Sequence, residues 1–122
     1  YLMRNNKLVQ ITQDHSLVAS LVASNMIKPA EVRSHPQRNQ IYRTLGDKPQ
    51  VEVDIFQKTL GPGDQLLLCS DGLWEMVRDE EIALHLSSAV MPQEAVEKLF
   101  EAAMEAGGED NICIVVGDIH GR

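Results

Sequence analysis

The stretch Leu66-Leu67-Leu68-Cys69-Ser70-Asp71-Gly72 constrains this chain more than any other. Its apolar run predicts a short strand over Gln65 to Cys69, apolar enough to be buried on both faces, with Gly61-Pro62-Gly63-Asp64 turning the chain into it. Such a strand delivers one carboxylate, Asp71, at its C-terminal end, and Gly72 lets the backbone turn sharply beside it. A second apolar run, Ile112 to Val116, belongs to an expected last strand over 111–119 and follows the loop Gly107-Gly108-Glu109-Asp110-Asn111. That loop places Asp110 at the mouth of its strand. If the two strands are antiparallel neighbours, the end of one lies beside the start of the other, and Asp71 and Asp110 converge at one edge.

The remaining pattern supplies elements to pack around these strands. Asn5-Asn6 tolerates the positive φ of a tight hairpin turn between residues 1–4 and 7–12. From Ser16 the period changes: Leu17, Val18, Leu21, Val22, Asn25 and Met26 fall on one helical face, which Asp14 or Ser16 can cap. Pro29 opens a short helical turn through Arg33, and residues 34–39 read as a loop. Val51, Val53 and Ile55 alternate with Glu52 and Asp54 as in a half-buried strand. Asp79-Glu80-Glu81 suits a helix start, with Ile82 and Leu86 as its inner stripe. Pro92 begins the last helix, with a core face of Val96, Leu99, Phe100, Ala103 and Met104. Met76, Met91 and Met104 are expected in the core, and Trp74 beneath the strand that carries Asp71. Short turns between consecutive strands imply mainly antiparallel sheets and an α+β fold.

Composition narrows the chemistry. A chain of 122 residues is one small domain or a piece of a larger one, and its opening at Tyr1 without Met reads as an interior cut. A net charge of -7 argues against nonspecific nucleic-acid or anionic-membrane binding and suits a divalent cation. No run approaches the ~18 apolar residues of a membrane span, and no signal peptide opens the chain. Cys69 and Cys113, inside apolar runs and without metal-ligand spacing, read as buried thiols in a reducing compartment. Two converging carboxylates repel unless a proton or cation lies between them. With oxygen ligands alone, the expected ion is Mg²⁺ or Mn²⁺ rather than zinc. Spacing alone leaves the plainer readings open: a turn at Asp71-Gly72 and a helix-ending loop at 107–111.

Leu67-Leu68-Cys69-Ser70-Asp71-Gly72-Leu73-Trp74 resembles the signature of the type 2C family of metal-dependent protein phosphatases. Gly108-Glu109-Asp110-Asn111-Ile112 is similar to that family's closing motif. Residues 8–16 and 41–46 agree in order, and 29–39, with His35-Pro36 and Arg38-Asn39, is similar to the flap of short bacterial members. The resemblance implies a four-layer αββα sandwich of two mainly antiparallel sheets flanked by helices, of which residues 1–122 are the C-terminal half, with the flap at about 29–46. It implies hydrolysis of phosphoserine and phosphothreonine on proteins by water bridging two Mn²⁺ or Mg²⁺ ions, without a covalent phosphoenzyme. Asp71 and Asp110 would ligate one metal, Gly72 would serve the turn and Asn111 would support the site by hydrogen bonding. His35 and Arg38 become possible substrate contacts. The first half, which in the family supplies further aspartates and a phosphate-gripping arginine, is missing here, so the chain alone should be inactive and unstable or oligomeric. A cytoplasmic setting opposite a serine/threonine kinase follows from the same resemblance.

Other signals are weaker. Asp14-His15 reads as a cap and a hydrogen-bonded neighbour before a catalytic dyad, and Arg38 and Arg43 most often make surface pairs. Gly117-Asp118-Ile119-His120-Gly121 matches the opening metal motif of the calcineurin-like phosphatases, but no further motif follows, so Asp118 and His120 read as strand-end residues. A phosphoprotein-docking module without turnover is the alternative from a different class. A phosphatase acting on an anti-sigma-type regulator is a third reading, less favoured by the Trp74 context and the flap.

Overall fold

Asn5 and Asn6 take φ of 52° and 59°, the left-handed values of a tight hairpin turn, and join β1 (Leu2–Arg4) to β2 (Lys7–Val9). On its other side β1 pairs with β3 (Gln65–Cys69), which pairs in turn with β4 (Ile114–Asp118). The order is β2-β1-β3-β4, and every pairing is antiparallel. The computed structural model describes residues 1–121; Arg122 lies outside the described residues. Two compact units emerge: the sheet with its helices, from residues 1–11 and 58 onward, and a smaller unit of residues 12–57.

In the first unit one face of the sheet carries the core. Register places Met3 opposite Leu8, Leu67 opposite Val116 and Cys69 opposite Ile114, all on that face. It meets the one-turn helix α2 (Asp71–Trp74), α3 (Asp79–Ser88) and α4 (Pro92–Glu105), which follow α1 (Leu17–Ala23) of the smaller unit in chain order. Leu67, Leu73, Val77, Ile82, Leu86 and Leu99 are the largest fully buried side chains at its centre, so the core is aliphatic. Trp74 and Met76 pack against it.

The buried stripe of α4 is Ala95, Leu99 and Ala103: Leu99 and Ala103 are on the expected face, and Ala95 takes the inner place expected of Val96. The small alanines let the helix lie close to the sheet, and Phe100 and Met104 flank the contact, about half exposed. Met91 is exposed as well, so of the three methionines expected inside only Met76 reaches the core. The run in β3 is buried on one face, not two: Leu68 faces outward opposite Val115, and they are 62% and 56% exposed. Cys69 is half-buried and Cys113 exposed, which corrects the expectation of two buried thiols. The strand expected over Val51 to Ile55 is absent: these residues take no regular structure, and Val53 and Ile55 are exposed. The place beside β3 that a hairpin partner would take is filled by β1.

The smaller unit is built on α1 (Leu17–Ala23) and a 3₁₀ helix (Pro29–Ser34). Ser16, not Asp14, is the cap, its Oγ accepting the Ala19 N–H at 3.2 Å. Asn25, at φ 57°, closes the helix, which leaves Met26 exposed rather than on the inner stripe. Leu17 N–H donates to the Gln40 carbonyl at 2.9 Å beside an isolated bridge between Ser16 and Ile41, folding residues 40–41 back on the helix start. Among the described residues no helix is long and apolar enough to cross a membrane.

At the sheet end remote from Asp71, Asp64 is buried and accepts the Arg4 Nε–H at 2.8 Å and the Gly61 N–H at 2.7 Å, while Arg4 Nη2 also donates to the Thr59 carbonyl. Arg4, then the Gly61 amide, pull the Asp64 carboxyl down to about 2. A carboxylate depressed in the folded state contributes stability above its unfolded value, and that contribution is lost as pH falls toward the folded one. The melting temperature is therefore expected to drop as pH falls from about 4 to about 2, with a shallower dependence in Asp64→Asn. Equal slopes for the two proteins would contradict the clamp.

Candidate metal centre

The β3–β4 pairing ends on the rung Cys69 with Ile114, and the two chains stay joined one step further. Ser70 N–H donates to the Cys113 carbonyl, Cys113 N–H donates to Ser70 Oγ, and Ser70 Oγ donates to the Asn111 carbonyl, each at 3.0 Å. Asp71 follows immediately as the first residue of α2, and Asp110 immediately precedes Asn111. Both carboxylates are exposed at this one end of the sheet. One oxygen of Asp110 accepts the Asn111 N–H at 2.7 Å, which fixes how the carboxylate presents its other oxygen.

Gly72 has a different physical reason from the one expected of it. It is helical, not at positive φ, and it is buried. A Cβ at this position would lie 2.3 Å from the Asn111 carbonyl oxygen and 3.0 Å from its carbon. Glycine is needed for close approach of the two backbones rather than for a turn. Asn111 makes its bonds here through its backbone: its carbonyl accepts from Ser70 Oγ and its N–H donates to Asp110 Oδ1. The loop before it is held by Gly108 at φ 55°, where a Cβ would meet the Met104 sulfur at 2.9 Å. Sequence reasoning missed both Ser70 and this use of Met104; a hydroxyl between an apolar run and an Asp-Gly pair was the available signal for the first.

The donor set is two carboxylates, with no third His, Cys, Asp or Glu completing a metal cluster among the described residues. Oxygen donors of this kind fit Mg²⁺ or Mn²⁺, which seek near-octahedral oxygen shells, but two of them are part of such a shell. Asp118 is at the opposite end of the strands: it faces Gln65 in register, and Gln65 Nε2 donates to it at 2.9 Å. His120 is exposed beyond it. The calcineurin-like motif therefore forms no joint site with Asp71 and Asp110.

His35 and Arg38 belong to the smaller unit. They share one turn, where Arg38 N–H donates to the His35 carbonyl and His35 Nδ1 accepts the Gln37 N–H, both at 3.1 Å. The same unit holds a polar cluster that sequence reasoning did not foresee. Asp54 lies 2.7 Å from His15 Nε2 and 3.0 Å from Arg43 Nη1, and Arg43 also meets Glu52 at 3.1 Å. Arg43, then His15, hold the Asp54 carboxyl below its usual range. The alternation that suggested a strand instead presents Glu52 and Asp54 to these partners.

Gly72→Ala is expected to destabilise the protein by about 1–3 kcal/mol, because the clash is with backbone that cannot rotate away. Denaturant unfolding measures it. A loss below about 0.5 kcal/mol would mean that the 110–111 loop yields freely.

Residues 12–120 match the family described as Stage II sporulation protein E (SpoIIE). The serine/threonine protein phosphatase PstP of Mycobacterium tuberculosis is 41% identical over 98% of the chain, which spans 23% of that longer protein. The crystal structure of the Mycobacterium tuberculosis phosphatase PstP/Ppp superposes with a TM-score of 0.88 at 40% identity, over 99% of this chain and 51% of that one. The PstP catalytic domain solved with two manganese ions superposes with a TM-score of 0.80 at 35% identity, over 99% and 49%. The chain thus spans about half the length of these two solved chains.

Proposed function

The chain belongs to the SpoIIE family of type 2C phosphatase domains, and on that footing we propose that it is the C-terminal half of a catalytic domain that hydrolyses phosphoserine and phosphothreonine on proteins. The observation that carries the reading is the stitched end of β3 and β4, which brings Asp71 and Asp110 to one edge of the sheet. Relatives named as serine/threonine protein phosphatases at about 40% identity favour this substrate class over an anti-sigma-type regulator. The flap, about residues 29–46, would belong to the smaller unit, with His35 and Arg38 available to substrate.

In this reading Asp71 and Asp110 would be among the residues that hold a divalent ion. Gly72 lets the Asn111 carbonyl come close, and the Asn111 amide keeps the Asp110 carboxylate aimed. Two Mn²⁺ or Mg²⁺ ions, when bound, supply the activated water and neutralise charge on the phosphoryl group. The remaining ligands would come from the other half of the domain. The exposed sheet face around Leu68 and Val115 is the surface that half would cover, since an apolar face of this kind is rarely left in water. A cytoplasmic place opposite a serine/threonine kinase goes with the same reading, which the exposed Cys113 thiol suits.

The test is hydrolysis of a phosphothreonine peptide by the complete catalytic domain. Activity is expected to require Mn²⁺ or Mg²⁺, to vanish with chelator, and to fall at least about a hundredfold in Asp71→Asn and in Asp110→Asn. Peptide binding without turnover, unchanged in both variants, would instead identify a docking module.

A further inference from the structure

Resting on that reading, we infer that Ser70 is a positioning residue for the metal, acting through its hydroxyl on the spacing between Asp71 and Asp110. One hydroxyl has one proton to give and lone pairs to receive, and Ser70 uses both on the facing chain. It donates to the Asn111 carbonyl at 3.0 Å and accepts the Cys113 amide at 3.0 Å. Its own amide donates to the Cys113 carbonyl, so three bonds hold one residue across the two chains.

The placement matters because each end of the tie is one residue from a carboxylate: Ser70 precedes Asp71, and Asn111 follows Asp110. Strand pairing stops at Cys69 and Ile114, so beyond that rung the ladder no longer fixes the distance between the two acids. The Asn111 carbonyl must also stay where Gly72 leaves room for it. Gly72 permits the approach, and the Ser70 hydroxyl holds it. Alanine in place of Ser70 keeps the amide bond to Cys113 and fills the same backbone position without a clash. Asn111 and Cys113 are exposed, so water can satisfy the groups that lose the hydroxyl. The fold should therefore survive, while the acids lose their fixed separation. Metal ligation is sensitive to such loss, since groups that orient ligands commonly set affinity by about 10–100-fold.

The experiment titrates the complete catalytic domain with Mn²⁺, following free ion by its electron paramagnetic resonance signal, for wild type, Ser70→Ala, Ser70→Thr and Asp71→Asn. Ser70→Ala is expected to bind Mn²⁺ about tenfold more weakly or worse, with the metal-free melting temperature nearly unchanged. Ser70→Thr, which keeps the hydroxyl, is expected to restore affinity to within about threefold of wild type. In phosphopeptide hydrolysis the Mn²⁺ needed for half-maximal rate should shift by the same factor as binding. Wild-type affinity in Ser70→Ala, or a threonine variant as weak as alanine, would overturn the inference. A Ser70→Ala protein whose metal-free melting temperature collapses would also overturn it, making the residue merely structural. Wild-type protein that binds no Mn²⁺ would instead sink the metal-site reading, and this inference with it.

Discussion

The antiparallel pairing of β3 with β4 is the constraint on which the rest of the unit depends. It is the longest pairing in the sheet, five rungs from Gln65 with Asp118 to Cys69 with Ile114. It joins segments about 50 residues apart in sequence, so closing it carries a large loop entropy that local hydrogen bonds cannot offset alone. The compensation comes from the helical layer on its inner face. Leu67, Leu99 and Ile82 meet at the centre of that layer with negligible exposure, and apolar burial is the dominant favourable term available. The helices between β3 and β4 are thus what return the chain to the strand it left.

The two ends of this pairing do different work. At one end the buried Asp64, gripped by Arg4 and Gly61, fixes the turn into β3 and holds β1 alongside. Its charge is satisfied by a guanidinium and an amide, so it is spent on structure. At the other end Asp71 and Asp110 are exposed, with no such partner cation among the described residues, while the backbone beneath them is tightly joined. A rigid frame presenting carboxyl oxygens is the arrangement that a cation site requires.

Much of this was legible in the chain. The Asn5-Asn6 hairpin, the acidic start of α3, Pro92 at the start of α4 and the strand before Asp71 all follow from local chemistry, and each is where the sequence puts it. What failed was what depends on distant partners. Val51 to Ile55 has the alternation of a strand, but alternation does not supply an edge to pair with, and Asp54 is instead taken by His15 and Arg43. The stripe on α4 was read correctly at Leu99 and Ala103 but missed Ala95, whose place was given to the larger Val96, although close packing favours the smaller side chain. In the candidate site, Asp71, Asp110 and Gly72 could be read from sequence. Ser70 offered only the weak signal of a hydroxyl between an apolar run and an Asp-Gly pair, because its bonds reach Asn111 and Cys113, 41 and 43 residues away. Family resemblance, rather than spacing, distinguished Asp71-Gly72 from an ordinary turn.

The central claim is that Asp71 and Asp110 share one metal, and a double-mutant cycle on Mn²⁺ affinity in the complete catalytic domain tests it most directly. Two ligands of one ion lose their effect together, so the Asp71→Asn, Asp110→Asn double variant is predicted to bind little worse than either single variant. Losses that add independently, or affinity unmoved by either substitution, would contradict the shared site.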